Sequence, residues 1–264
     1  MILIDTHCHL DILDNPEQKF QTANKAGVHK IIIPSVNAKS LSKIKMLSKQ
    51  FDNIYYAVGI YPTEIENLTE NDLNLHIQEI EDELSQKPDK LVAIGECGLD
   101  FSFPEIETQD ITILKTKQIN LFQTHIKWAQ KYHLPMIIHN RKANNDIFNI
   151  VSQLPKLTGV FHCFCQRKSF AKQIIKQTSF YFGLGGLITT DQGLAETVKE
   201  IPMERIVLET DSPYLVPKET KTKYSINEPA LMVYTVHKLA QIKNIVYEEV
   251  VKLTTQNTKK LFNI

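Results

Sequence analysis

The stretch ILIDTHCHL, residues 2–10, joins a short apolar run to two histidines that stand one residue apart. Side chains of a β-strand alternate between its two faces, so His7 and His9 leave the backbone on the same side and can share one target. A metal ion is the obvious shared target, and a pair of hydrogen-bonded core histidines is the alternative. Apolar runs that end in such polar residues recur along the chain, and their arrangement decides the fold.

Seven further β-branched or apolar runs follow the first. They are KIIIPS near residue 30, IYYAVGI near 54, LVAIGEC near 91, PMIIHN near 135, GVFHCF near 159, FYFGLGG near 180 and RIVLETD near 205. Segments with helical spacing lie between them, at Glu17–Ala26, Ser40–Gln50, Asp72–Leu84, Thr108–Tyr132, Asn144–Gln153, Phe170–Gln177 and Leu194–Ile201, and two more follow the last run.

Strand and helix alternate eight times in this reading, which predicts parallel pairing. Continuous apolar strands such as Lys30–Pro34 are typical of a sheet that is buried on both faces. We therefore predict an α/β fold, a (β/α)8 TIM barrel. No Pro/Gly/Ser-rich linker divides the chain, so we expect residues 1–264 to form a single domain.

Unusual polar residues close five of the eight apolar runs. They are His7 and His9, Glu96, His139, His162 and Asp211. An open doubly wound sheet, the alternative fold, would place a ligand at one switch point between two strands. A closed barrel gathers the carboxyl ends of all its strands around one mouth, and only this arrangement brings all five closing positions together.

These side chains supply four imidazoles and two carboxylates, a ligand set that suits divalent metals such as Mn or Zn and can also hold Mg. Six protein ligands exceed the usual three of one catalytic ion. Two divalent ions that share a carboxylate explain the excess, and such pairs recur in enzymes that hydrolyse phosphate esters. Glu96 is the candidate bridge, and Asp211 is the candidate acceptor of the proton of an attacking water.

The same strand alternation predicts which residues lie beside the ligands. Asp5 and Glu209 each precede a ligand by two positions, so both should lie beneath the ligands, where a carboxylate can orient an imidazole. Arg141 should stand at the rim and either bind a substrate anion or pair with Asp146. The role of Asp100, four residues after Glu96, stays open.

The cysteines of this chain do not form a disulfide framework. There are four in 264 residues, and no secretory signal pattern precedes Ile2, so a reducing cytoplasm is the expected compartment. Cys8, Cys97 and Cys163 each follow a ligand by one residue and should point away from the mouth.

The charge and hydropathy of the sequence limit the classes of partner that we expect. Lys plus Arg and Asp plus Glu both number 30, so no overall field steers a polyanion and any contact with nucleic acid must be local. No apolar run approaches the length of a membrane span, and we expect no membrane partner. Nothing in the sequence indicates a stable protein partner.

Six stretches make the chain similar to the TatD family of metal-dependent deoxyribonucleases, within the amidohydrolase-like barrels. They are DTHCHLD at 5–11, AIGECGLDF at 93–101, LPMIIHNRKANND at 134–146, GVFHCF at 159–164, ETDSPYL at 209–215 and NEP at 227–229. The resemblance implies two divalent ions, Mg or Mn, with Glu96 between them. On one ion it implies His7, His9 and Asp211, and on the other His139 and His162.

The activity that the resemblance implies is hydrolysis of DNA, as a 3′-to-5′ exonuclease on single strands. Two positions depart from the family pattern. Tyr61 precedes Pro62 where the family commonly has His-Pro, and Ile226 precedes NEP where many members carry Arg. Both family residues suit phosphate, so an ester or amide hydrolase, such as a D-aminoacyl-tRNA deacylase, remains an alternative. A non-catalytic metal-binding scaffold is the third hypothesis.

Overall fold

The chain folds into one parallel sheet of eight strands with helices between them. The computed structural model describes residues 2–66, 68–103 and 108–264. The strands are β1 (Leu3–Asp5), β2 (Val28–Pro34), β3 (Ile54–Val58), β4 (Leu91–Asp100), β5 (Met136–Arg141), β6 (Gly159–Phe161), β7 (Tyr181–Leu184) and β8 (Ile206–Leu208). They pair in chain order, and every pair is parallel.

Backbone hydrogen bonds beyond the last strand draw the two edges of the sheet together. Thr6 N donates to Leu208 O at 3.0 Å, and Asp211 N donates to His7 O at 2.9 Å. The sheet is therefore a nearly closed barrel, and the predicted (β/α)8 TIM-barrel fold is confirmed.

The helices cover the outside of the barrel. They are α1 (Pro16–Lys25), α2 (Ala38–Gln50), α3 (Glu70–Gln86), α4 (Thr108–Tyr132), α5 (Asn144–Val151), α6 (Lys168–Gln177), α7 (Gln192–Glu200), α8 (Met232–Lys243) and α9 (Tyr247–Phe262). Within the described residues, no helix is long and apolar enough to cross a membrane.

Several helices begin two residues before the first position of the predicted segment. α2 begins at Ala38 because the Asn37 side chain caps it by accepting a hydrogen bond from Ser40 N. α3 begins at Glu70 because Thr69 and Asp72 form a reciprocal capping box. Apolar spacing reports only the buried face of a helix, whereas polar capping groups set where its first turn starts.

In the described part of the chain, two hydrophobic clusters form the core. The larger one lies between the strands and the helices and includes Ile31, Ile33 and Ile138. The smaller one fills the barrel and consists of Ile32, Ala57, Val92, Ala93, Ile137, Val160, Tyr181, Val207, Leu261 and Phe262. Leu261 and Phe262 belong to α9, so the last helix closes the end of the barrel opposite the predicted mouth.

A β-bulge and a glycine shape the pairing of β4 with β5. The register shifts between Ile94 and Cys97, which places Glu96 in the irregular segment, and bulges commonly re-aim a side chain beside an active site. Gly98 has φ +139° and pairs with His139, where a Cβ atom would overlap the His139 carbonyl oxygen. Glycine at this position lets β4 approach the His139 backbone of β5 closely.

His125 on α4 is a buried histidine that is not among the candidate metal ligands. Ile60 N donates to its Nε2 at 2.9 Å, so the proton resides on Nδ1, which donates to Leu121 O at 2.8 Å. Both ring nitrogens are thereby satisfied in the neutral form. Burial lowers the pKa of His125 to about 4.

This histidine should make folding pH-dependent. Its folded pKa of about 4 lies below the usual value of 6.5, so between these pH values the unfolded chain binds more protons than the folded one. Stability from this site is therefore complete above pH 6.5 and falls toward pH 4, by on the order of 3 kcal/mol.

Urea unfolding of the wild type and of His125→Gln between pH 4 and pH 8 measures this contribution. The variant should be less stable at pH 8 and should lose less stability on acidification than the wild type does. His133→Gln, which removes an exposed histidine, is the matched control. Equal pH slopes for the wild type and His125→Gln would contradict the assignment.

Candidate metal centre

His7 and His9 meet at the carboxyl end of β1. His7 is fully buried, and its Nε2 lies 3.2 Å from Nε2 of His9. Cys8 N donates to Ile32 O at 3.2 Å on one side, and His9 N donates to Ser212 O at 2.9 Å on the other. The segment is thus held between β2 and the chain that follows β8, with both imidazoles directed to one point.

Glu96 lies between two pairs of histidines. Its Oε2 is 3.2 Å from His7 Nε2 and 3.6 Å from His9 Nε2. Its Oε1 is 3.0 Å from His139 Nδ1 and 2.9 Å from His162 Nε2. Each carboxylate oxygen therefore faces one pair, which is the arrangement that a bridging carboxylate requires.

His139 and His162 form the second pair, at the ends of β5 and β6. Nδ1 of His139 lies 3.2 Å from Nε2 of His162. The opposite nitrogen of His139, Nε2, lies 3.1 Å from Asp100 Oδ2. The Tyr61 hydroxyl stands 3.3 Å from both His139 Nε2 and Asp100 Oδ2. A carboxylate and a phenol thus fix the orientation of the ring.

Asp211 comes from a tight loop after β8. Its Oδ1 lies 3.6 Å from His7 Nε2 and 3.8 Å from His9 Nε2, and its backbone has a left-handed φ of 55°. Asn227, which is fully buried, holds this loop: its Nδ2 donates to Thr210 O at 2.8 Å. Its backbone N donates to Pro213 O at 3.0 Å. The loop is therefore anchored on both sides of Asp211.

The donor atoms fall into groups that could each hold a metal ion. Within each group one donor atom of every residue lies within 4.8 Å of the others, and the groups are His7, His9 and Asp211; Glu96, His139 and His162; and His7, His162 and Glu209. Ligand bonds of about 2.0–2.2 Å place neighbouring ligands of one ion roughly 3–3.5 Å apart. The separations of 2.9–3.2 Å within the second group fit this requirement, and those of the first group, 3.2–3.8 Å, are slightly wider. Both groups mix imidazole with carboxylate.

The electrostatics of the site favour the ligating protonation states of His7, His9 and Glu96. Burial lowers the pKa of His7 and of His9 to about 4, and neighbouring imidazoles act in the same direction. Burial alone would raise the pKa of Glu96, but the charges of His162 and His7 hold it well below its usual range. The other candidate ligands are shifted the opposite way: burial raises the pKa of Asp211 to about 7. Burial alone would lower the pKa values of His139 and His162, but the neighbouring carboxylates raise them. Neutral imidazole and ionised carboxylate are the forms that bind metal.

Glu209 and Asp5 both lie beneath the ligands but touch different groups. Glu209 Oε1 lies 3.7 Å from His162 Nδ1 and accepts a hydrogen bond from Cys163 N. Gly183 makes room for it, since a Cβ there would overlap the Glu209 carboxylate.

Asp5 differs from the expectation that it orients an imidazole. Its Oδ1 accepts from Thr210 N at 2.9 Å, and its Oδ2 accepts from the Thr210 hydroxyl at 2.6 Å. Oδ1 also lies 3.3 Å from His7 N. The Asp5 carboxylate thus joins β1 to the backbone of the Asp211 loop. It does so because Asp5 lies where β1 meets the segment that follows β8.

A cavity of about 700 Å³ opens above the ligands. Arg141 lines it and is the one lysine or arginine among the described lining residues. In the described part of the chain no ion pair joins Arg141 to Asp146, so the guanidinium stays available at the rim. Cys163 also lines the cavity, so the prediction that it points away from the mouth is wrong. β6 ends at Phe161 and Cys163 has φ 45°, so strand alternation no longer applies there.

Comparison with known proteins agrees with this geometry. A family model described as TatD related DNase matches residues 4–263. The chain belongs to the TatD-related DNase family. The family expected from the sequence is thereby confirmed.

Relatives of this TatD-family chain match it over their full length or nearly so. A Bacillus subtilis protein named "Uncharacterized metal-dependent hydrolase YabD" is 32% identical over 270 residues, covering 100% of both chains. The human protein named deoxyribonuclease TATDN3 is 30% identical, with 98% of this chain and 94% of the human protein covered. The crystal structure of the TatD homologue YjjV of Escherichia coli K12 superposes with a TM-score of 0.88 at 26% identity, covering 99% and 98% of the two chains.

The sequence alone does not predict the roles of two residues of this TatD-family site, Asp100 and Asn227. The sequence leaves the role of Asp100 open, although this residue stands four positions after Glu96 in the same strand and alternation places both on one face. Asn227 stands out in the sequence only as part of NEP. Its hydrogen bonds to the Asp211 loop leave no local sequence signal, because the partners lie 12 and 17 residues away.

Proposed function

We propose that this protein is a divalent-metal-dependent hydrolase that cleaves phosphodiester bonds of DNA, releasing nucleotides from the 3′ ends of single strands. The observation that supports this most is the convergence of six side chains from five strand ends, with Glu96 between the two histidine pairs. The relative named deoxyribonuclease TATDN3 supports the choice of DNA as substrate.

Two divalent cations are proposed, one held by His7, His9 and Asp211 and one by His139 and His162, with Glu96 shared. Bound there, they would supply Lewis acidity that lowers the pKa of a water and neutralises charge on phosphoryl oxygens. The identity of the metal is proposed to be Mg or Mn, with Zn as the alternative.

The residues of the chain have separate tasks in this mechanism. Asp211 accepts the proton of the attacking water through a carboxylate oxygen. Asp100 and Tyr61 hold His139 so that its Nδ1 faces Glu96. The Glu209 carboxylate lies 3.7 Å from Nδ1 of His162 and attracts that ring electrostatically. Arg141 binds a non-bridging phosphate oxygen at the rim.

A digestion with matched substrates tests this function. Purified protein is analysed for metal content, stripped with a chelator, reloaded with Mg²⁺ or Mn²⁺, and incubated with a 5′-labelled single-stranded oligonucleotide. We expect a ladder that shortens from the 3′ end, that chelation abolishes and that added metal restores. Cleavage that is insensitive to chelation, or no cleavage by metal-loaded protein, would contradict the proposal.

Carbonyl ester hydrolysis, as in a D-aminoacyl-tRNA deacylase, is the second candidate. It is favoured by the scarcity of cations at the mouth, where Arg141 is the sole lysine or arginine among the described cavity-lining residues. A panel of acyl esters and a D-aminoacyl-tRNA, assayed beside the oligonucleotide, separates the two. Hydrolysis of the panel without DNA cleavage would select this candidate instead.

A further inference from the structure

Among the described residues, two tyrosines line the cavity above the candidate metal centre, and they differ in what they contact. The Tyr61 hydroxyl is engaged with His139 and Asp100. Tyr214 is 55% exposed, and its hydroxyl has no hydrogen-bond partner among the described residues. Its ring centroid lies 6.2 Å from that of His9, at an angle of 76°. A largely bare aromatic ring therefore stands beside a candidate metal ligand.

The backbone under Tyr214 is fixed to the same loop as Asp211. Tyr214 N donates to Asp211 O at 2.9 Å. The buried side chain of Asn227 donates to Leu215 O, on the residue that follows Tyr214, at 3.4 Å. The ring is thus positioned in advance relative to the metal centre, so that little ordering entropy is lost when a ligand packs on it.

The surroundings of Tyr214 match the two halves of a nucleotide. Arg141 provides a cation for a phosphate within the same cavity, while Ile12, 56% exposed, adds an apolar lining residue. A base is joined to its phosphate through one sugar, so it must lie close to the metal centre when the phosphate is bound there. Stacking of bases on aromatic rings is the usual recognition mode for single strands and tolerates any base.

We propose that Tyr214 is the stacking platform for the base of the nucleotide whose phosphate lies at the metal centre. The proposal rests on the proposed nuclease function and deepens it: the site selects nucleotides over phosphodiesters that lack a base. It also accounts for a cavity in which Arg141 is the one lysine or arginine among the described lining residues, because the base supplies part of the binding free energy.

Substrates that differ only in the terminal base test the platform. One oligonucleotide ends in an ordinary 3′ nucleotide and the other in an abasic nucleotide, and both are assayed with the wild type, Tyr214→Ala and Tyr214→Phe. We expect Tyr214→Ala to raise KM for the ordinary strand by roughly ten- to a hundredfold and to leave kcat and the abasic strand unchanged. Tyr214→Phe keeps the ring and should behave as the wild type.

Tyr234→Ala is the matched control, since it removes a tyrosine that is 36% exposed on α8. A second arm measures binding without cleavage: calorimetric titration of dAMP and of deoxyribose 5-phosphate in the presence of Mn²⁺. The wild type should prefer dAMP, and Tyr214→Ala should lose that preference.

An equal rise in KM of Tyr214→Ala for the ordinary and the abasic strand would show a merely structural role of Tyr214 and overturn the proposed stacking. An unchanged KM, or wild-type binding of dAMP no tighter than of deoxyribose 5-phosphate, would also overturn it. Should the wild type cleave no DNA, the nuclease proposal fails while the binding arm still decides the stacking, so the two failures are distinguishable.

Discussion

Glu96→Gln is expected to lose bound metal and to lower nuclease turnover by at least about a thousandfold, because activation of water and stabilisation of the transition-state charge are lost together. The carboxylate faces nitrogen atoms of both histidine pairs at 2.9–3.6 Å, and a neutral amide cannot present two anionic oxygens to two cations. Elemental analysis after dialysis and initial rates on a labelled oligonucleotide measure the two effects.

Glu64→Gln is the matched control for this experiment. Glu64 also lines the cavity, but its carboxylate is bonded to Asn37 at 2.6 Å rather than to the histidines. It should keep metal and turnover close to the wild type, and circular dichroism should show all three proteins folded. A Glu96→Gln protein with wild-type metal content and rate would end the proposal of a bridging carboxylate.

Asp211→Asn should separate binding from chemistry. The amide keeps the shape of the side chain and one oxygen that can ligate a cation, but it cannot accept a proton. We therefore expect turnover to fall by about 10²–10⁴-fold, whereas metal content falls much less. The measurements are kcat under saturating Mn²⁺ and metal stoichiometry from the same preparation.

Asp14→Asn, at an exposed position, controls for the loss of one carboxylate and should leave both quantities unchanged. If Asp211→Asn lost metal and turnover in the same proportion, Asp211 would act as a ligand alone. Another group would then have to accept the proton of the water.

The sequence was sufficient for the fold because the barrel repeats one local pattern. Every β-branched run named from the sequence is a strand, and their alternation with helices left parallel pairing as the consistent topology. Helix starts were less well predicted, as α2 and α3 show, since polar caps rather than apolar spacing determine them.

Strand alternation predicted the direction of the candidate ligands, including His7 and His9, which follow the last residue of β1. It placed His139 and Glu96 on one side, and the structure brings them to 3.0 Å. It failed at Cys163, where the chain had already turned, and it missed that Asp5 faces Thr210 across the closure of the barrel. Contacts made between distant segments leave no periodic signal in the sequence.

The closure of the barrel through His7 O and Asp211 N at 2.9 Å ties the metal centre to the completion of folding. One set of candidate ligands needs His7 and His9, which follow β1, and Asp211, which follows β8, so a nascent chain lacking Asp211 cannot assemble it. Tight binding of the cation should therefore occur late in the folding of the chain. The bound ion should then stabilise the contact between the first and last strands against opening.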